Sequence, residues 1–295
     1  MKNRVIIIAL FIVSSIYVQS QTNENIFSMK LGNSKFFLLS EGQRSGSTKL
    51  LIGAKPEIIA KYAPNDSFPM AANAFLWQVD GKNILFDTGY GKEMVKNLQS
   101  LGLKPEDIDA IFISHMHGDH IGGLIRKGQA TFPNAELYLP QAAYDYWKNE
   151  ELMNQMPENL REEFLFSQKI MEVYKDHLHL FQPNAIGGPY DQSVFPGIKA
   201  IAAPGHTSGH TVYLIESGNE RLLYWGDLVH SITIQMPFPD IAVSYDDNPR
   251  MATQSRLFLL QFVSQGIFVS GAHIPYPGIG TVEKLDTGYK FIPAK

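Results

Sequence analysis

Residues 114–120 read Ser114-His115-Met116-His117-Gly118-Asp119-His120. Three imidazoles and a carboxylate fall directly after the apolar run Asp109-Ala110-Ile111-Phe112-Ile113 and before Ile121-Gly122-Gly123. The apolar run predicts a buried strand, so the cluster lies on a loop at a strand end. Alternate residues of an extended turn can point two imidazoles at one ion. Gly118 then lets the backbone swing, so that Asp119 and His120 can face a second ion. Imidazole nitrogen and carboxylate oxygen are ligands that zinc accepts where no thiolate is present. The plainer alternative is a solvated polar loop, and the density of ligand types argues against it.

Four ligands on one loop cannot close two metal sites. The chain supplies more at three later strand ends: Pro204-Gly205-His206-Thr207-Ser208-Gly209-His210, Tyr224-Trp225-Gly226-Asp227 and Gly271-Ala272-His273. Each places a His or Asp just past an apolar run and beside a glycine. Five histidines and two aspartates then make two clusters that share one carboxylate, which is the ligand inventory of a two-metal hydrolytic site.

The 295-residue chain has nine histidines and no cysteine. Disulfides, zinc–thiolate sites, iron–sulfur clusters and a cysteine nucleophile are therefore excluded. With 44% hydrophobic and 18% charged residues, the chain is neither disordered nor fibrous. Strand-like runs occur at 36–39, 74–79, 83–86 and 136–139, and Asp80-Gly81 marks a hairpin turn. A helix is expected over 92–101, a helical pattern over 141–180 and a helix over 249–265. Further strands are expected at 198–202, 211–216, 221–225 and 266–270. Strands thus recur in both halves, without an internal repeat or low-complexity linker. The reading is one domain over 21–295, with two sheets packed between helices.

The first twenty residues read as an address. Lys2 and Arg4 precede an almost wholly apolar stretch, Val5 to Val18, and Val18-Gln19-Ser20 suits cleavage before Gln21. The apolar run is short for crossing a bilayer. The expectation is a cleaved signal peptide over 1–20, a periplasmic or secreted protein and no stable membrane anchor. The formal charge is −4, and no basic run or basic–aromatic stripe is present. Nucleic acid is therefore not an expected partner. The expected partner is a small-molecule substrate with a hydrophobic group, and a homodimer is left open.

The pattern His115-x-His117-x-Asp119-His120, followed by His206, Asp227 and His273, resembles the metallo-β-lactamase superfamily over nearly the whole mature chain. The resemblance implies an α+β fold, a four-layer αββα sandwich, with two Zn2+ along one edge. It implies His115, His117 and His206 on the first zinc, Asp119, His120 and His273 on the second, and Asp227 bridging them. True β-lactamases of the superfamily lack that bridging aspartate, and the flavodiiron branch has Glu where His117 stands. Gly226-Asp227-Leu228-Val229-His230, Gln235-Met236-Pro237-Phe238-Pro239, Ser244-Tyr245-Asp246 and Gly271 to Gly280 are similar to the methyl parathion hydrolase branch and related exported N-acyl-homoserine lactonases. The implied function is opening of an N-acyl-homoserine lactone ring. The alternatives are hydrolysis of an organophosphate triester or another carboxylic ester, or a non-catalytic binding module.

Asp119, Asp227 and His230 are the candidate catalytic residues. Many acyl-homoserine lactonases carry a tyrosine where this chain has His230, and an imidazole there could donate the same hydrogen bond or simply line the pocket. Asp87, in Phe86-Asp87-Thr88-Gly89, is expected to support the metal loop from behind. His210 is expected to be a structural hydrogen-bonding residue. His177 and His179 read as surface or helix-end residues. Trp147, Phe164, Phe166 and Phe238 are the candidate apolar substrate wall.

Overall fold

A computed structural model describes residues 25–295. The expected signal peptide lies outside the described residues. Among those described, no helix is long and apolar enough to cross a membrane.

A seven-stranded sheet runs, edge to edge, through Ile26–Leu31, Ser34–Ser47, Ser67–Val79, Lys82–Phe86, Ala110–Phe112, Glu136–Pro140 and Leu178–Phe181. Its first four strands pair antiparallel and its last four parallel. The Asp80-Gly81 turn has φ of 47° and 75°, the left-handed pair that a tight hairpin demands. A six-stranded sheet runs through Ile198–Ala202, Thr211–Ser217, Glu220–Tyr224, Phe268–Ser270, Ile279–Lys284 and Tyr289–Pro293.

Alternation along the strands separates three apolar layers. Phe36, Phe75, Trp77, Phe86 and Phe112 of the first sheet meet Tyr213, Ile215, Leu222 and Tyr224 of the second. The intervening residues Phe37, Leu39, Leu76 and Leu85 face outward, onto Met94, Leu98, Trp147 and Phe164. On the far side, Leu214, Leu223 and Val269 pack against Leu259, Leu260 and Val263 of helix Pro249–Val263. Both faces of both sheets are therefore covered, as the layered sandwich requires. Asn248 caps that helix by accepting from the Met251 amide, and Pro249 occupies its first turn.

One expectation needs correction. The helical reading of 141–180 holds for Gln141–Lys148, Glu150–Gln155 and Glu158–Val173, but the chain then forms strand Leu178–Phe181, parallel to Glu136–Pro140. His179 is a strand residue, and His177 precedes that strand. Both are exposed, and both bind the Glu136 carboxylate, at 3.1 Å and 2.5 Å. They stay on the surface, as expected, but not at a helix end.

Candidate metal centre

The site lies where strands of both sheets end. Ala110–Phe112 runs into the loop that carries His115 and His117, and His117 is the N-cap of a short helix Gly118–Ile121 that presents Asp119 and His120. His206, Asp227 and His273 follow Ile198–Ala202, Glu220–Tyr224 and Phe268–Ser270 of the second sheet.

His115 Nε2, His117 Nδ1 and His206 Nε2 stand 3.0–3.2 Å from one another. Ligands 2.0–2.1 Å from a tetrahedral zinc lie about 3.3 Å apart, so the triangle has the right size. Asp227 Oδ2 completes it, 3.2 Å from His206 Nε2 and 3.8 Å from His115 Nε2. Asp119, His120 and His273 form a second group of ligand atoms. Asp227 Oδ1 approaches His120 Nε2 at 3.0 Å, and its Oδ2 approaches His273 Nε2 at 3.1 Å. His120 Nε2 and Asp227 Oδ1 are buried without a hydrogen bond of acceptable geometry. Buried polar atoms are seldom left so, and here they converge on one point, as ligands do. The donor set fits a pair of metal ions.

Burial and neighbouring charges set the protonation of the candidate ligands in opposite directions. Burial pushes His117 down to about 3, with His206 adding to the effect, so its imidazole is neutral and can bind metal. Burial alone would raise Asp227, but His120 and His273 outweigh it and hold the carboxyl well below the usual range. Burial would lower His206, yet Asp227 and Asp246 lift it to about 9.

Most of these imidazoles are held from behind. His120 Nδ1 donates to Asp87 Oδ2 at 2.6 Å, His206 Nδ1 to Asp246 Oδ1 at 3.0 Å and His273 Nδ1 to the Ala71 carbonyl at 2.9 Å. His115 Nδ1 lies 3.1 Å from the Ser114 hydroxyl. Such contacts fix the tautomer and the ring plane. Asp87 is fully buried with φ 56° and also accepts from the Ser114 amide and hydroxyl and from the Tyr224 hydroxyl. It meets His120 at Nδ1, on the side of the ring away from Nε2, where a supporting residue would stand. His210 donates through Nδ1 to the Ala203 carbonyl, and its Nε2 accepts from the Asp227 amide at 3.1 Å. It therefore holds the backbone of Asp227, as a structural residue would.

His230 is buried beside the ligands. Its Nε2 is 3.1 Å from Asp227 Oδ2, and its ring stacks on His273 with centroids 4.9 Å apart. Its Nδ1 has no hydrogen-bond partner among the described residues, which sets it apart from the anchored rings.

A cavity of about 580 Å³ opens over the centre, walled by Met70, Ala72, Leu160, Tyr90 and Tyr245, with Arg44 and Glu163 on its polar side. None of the four aromatic residues expected as a substrate wall lines it. Trp147 packs into the core against Phe164 at 4.7 Å and touches His117 edge-on at 6.5 Å. Phe164 is 1% exposed in that core, and Phe166 lies on the outer surface of its helix. Phe238 packs on Tyr62 at 5.3 Å in a separate apolar cluster. Helical spacing marks a buried face but cannot say whether that face meets core or cavity.

The sequence reading gave no role to Asp246 and Gln235, which entered only through the family resemblance, and did not single out Arg256. Gln235 Oε1 accepts from the His230 and Ser231 amides, and Gln235 Nε2 donates to the Ile241 carbonyl. Arg256 lies 1% exposed in helix Pro249–Val263 and donates to the carbonyls of Leu228, Pro239 and Ile241. Together they clamp the segment that carries Asp227 and His230. The one signal for Arg256 in the sequence is a charge amid the apolar helix.

The profile of the Metallo-beta-lactamase superfamily matches residues 68–264. A probable metallo-hydrolase of Mycobacterium bovis is 23% identical over 221 residues, 64% of this chain and 69% of that protein. An N-acyl homoserine lactonase of Bacillus cereus is 31% identical over 130 residues, 44% of this chain and 42% of that protein. Among solved structures, AidC, a dizinc quorum-quenching lactonase in complex with the product N-hexanoyl-L-homoserine, superposes with a TM-score of 0.82 at 29% identity, over 92% of this chain and 98% of that one. AbOPH, a hydrolase of the beta lactamase superfamily, gives 0.80 at 27% identity, over the same 92% and 98%.

Proposed function

The chain belongs to the metallo-β-lactamase superfamily, and from that premise we propose that it is a two-zinc hydrolase that opens the lactone ring of N-acyl-homoserine lactones, a quorum-quenching activity. The observation that carries the reading is the pair of ligand groups meeting at Asp227 on the floor of a substrate-sized cavity. The likeness to AidC supports the lactone as substrate. The complete set of candidate ligands argues against a non-catalytic module.

His115, His117 and His206 would hold one zinc, Asp119, His120 and His273 the other, and Asp227 both. Bound there, the ions supply a water of lowered pKa and polarise the ring carbonyl. Asp119, one-fifth exposed at the cavity, is placed to accept a proton from water. His230 borders the cavity with a ring nitrogen facing the centre, and we assign it as hydrogen-bond donor to the leaving ring oxygen. Its lack of an anchor behind the ring favours a donor over a further ligand. The start of the chain, basic then apolar, supports export.

A phosphotriester or a simple carboxylic ester is the competing substrate. The observation on its side is His230, where many lactonases carry tyrosine.

The reading is tested by incubating zinc-loaded protein with N-hexanoyl-L-homoserine lactone and following the ring-opened acid by chromatography. Turnover is expected, with a loss of roughly 100- to 1,000-fold or more in Asp227→Ala. An Asp227→Ala variant as active as the parent would sink the two-metal account.

A further inference from the structure

The cavity has a wall that the metal chemistry does not use. Strand Ser34–Ser47 shifts register against Ser67–Val79 between Ser40 and Gln43. Such a bulge bends a strand and re-aims the side chains beyond it. Glu41 sits inside the irregularity, and its carboxylate accepts from the Tyr90 amide at 2.9 Å and the Glu93 amide at 3.1 Å. The turn that follows strand Lys82–Phe86 is therefore tied to the strand that carries Arg44. Gly89, with φ +63°, allows the close approach, since a Cβ there would lie 2.9 Å from the Glu41 carboxyl carbon.

Held this way, the Arg44 guanidinium sits 4.7 Å over the Tyr90 ring. Both residues border the cavity alongside Asp119 and Asp227. Arg44 and Tyr90 are both exposed, so the guanidinium N–H groups and the phenol hydroxyl are open to a molecule in the cavity. Arg44 is the one Arg or Lys among the described residues that line the cavity, while Glu163 and Asp247 supply carboxylate acceptors to the same space. A planar donor fork, pre-oriented by stacking, suits a carbonyl oxygen, and the carboxylates suit an N–H. A secondary amide carries both.

We propose that Arg44 and Tyr90 form a subsite that holds the amide carbonyl of the substrate's acyl group, away from the bond that is cut. The proposal rests on the lactonase reading and adds to it: N-acylation, and not the lactone ring alone, is what this enzyme recognises.

Two measurements on the zinc-loaded full chain test it. The first is calorimetric binding of the non-hydrolysable lactam analogue of N-hexanoyl-homoserine lactone to the parent, Arg44→Ala, Arg44→Lys and Tyr90→Phe. Loss of a hydrogen bond to a charged group predicts a Kd roughly 10- to 100-fold higher in Arg44→Ala, with Arg44→Lys between the two. The second compares kcat/KM for N-hexanoyl-L-homoserine lactone and for γ-butyrolactone, which has no amide. The loss in Arg44→Ala is expected to be at least tenfold larger for the acylated substrate and to fall on KM. Equal losses on both substrates, an unchanged Kd, or no lactam binding by the parent would overturn the subsite. Arg44-dependent lactam binding by a parent that hydrolyses no lactone would support the subsite while defeating the lactonase reading.

Discussion

Asp87 shows how much a single side chain behind the metal ligands is asked to do. Its carboxylate receives His120, Ser114 and Tyr224, all inside the core. Asparagine tolerates the left-handed backbone that Asp87 adopts, so Asp87→Asn tests the charge without forcing the turn. It should weaken zinc binding by about 10- to 100-fold, because His120 loses the acceptor that fixes its ring. Titration with a chromogenic chelator as competitor would measure this, and an unchanged affinity would refute the supporting role. Asp87 was legible in the sequence because it stands directly after an apolar strand and before Thr88-Gly89. Asp246, which does the same for His206, stood out only through the family resemblance of Ser244-Tyr245-Asp246, with no sign of this role. It lies in a loop forty residues further on, and only the fold brings the two together.

At the scale of elements, helix Pro249–Val263 steadies the segment that carries Asp227 and His230 through Arg256. Three backbone carbonyls depend on this guanidinium, which has no hydrogen-bonded carboxylate partner among the described residues. Burial lowers its pKa to about 10, and it remains a cation at neutral pH. Arg256→Met keeps most of the apolar contact but strands those carbonyls, which should cost about 2–4 kcal/mol in urea unfolding. A change below 0.5 kcal/mol, the usual size for a surface substitution, would mean that the clamp is redundant. The strand ends that carry ligands could be read from the sequence, since each is an apolar run stopping at glycine and His or Asp. The destinations of Trp147, Phe164, Phe166 and Phe238 could not. When both faces of a sheet are covered, an amphipathic helix can point residues such as Trp147 and Phe164 at core, and periodicity does not identify the wall they meet, while Phe166 stays on the outer surface of its helix and Phe238 lies outside any helix. The strand at Leu178–Phe181 was hidden for a related reason: four residues beside charged neighbours are too few to reveal an alternation.

Over the whole molecule, the centre joins the two sheets. The first sheet supplies the loop with His115, His117, Asp119 and His120, and the second supplies His206, Asp227 and His273. Metal bound there would tie the layers together, and without it buried imidazoles and carboxylates face one another with no ion between them. Chelation should therefore abolish activity and lower the melting temperature by roughly 5–15 °C, with zinc restoring both. A melting curve that ignores chelator and zinc alike would argue that the ligand groups do not bind metal. Placing the site across two sheets also explains why the loop at 114–120 was informative but incomplete: it holds four of the seven candidate ligands, and the others arrive only when the sandwich closes.

The most direct test of the lactonase reading is the ratio of kcat/KM for N-hexanoyl-L-homoserine lactone to that for methyl parathion, measured side by side on the zinc-loaded protein. The account predicts a ratio well above one, with the ring-opened acid as product. A ratio well below one would contradict it and make the chain a phosphotriesterase.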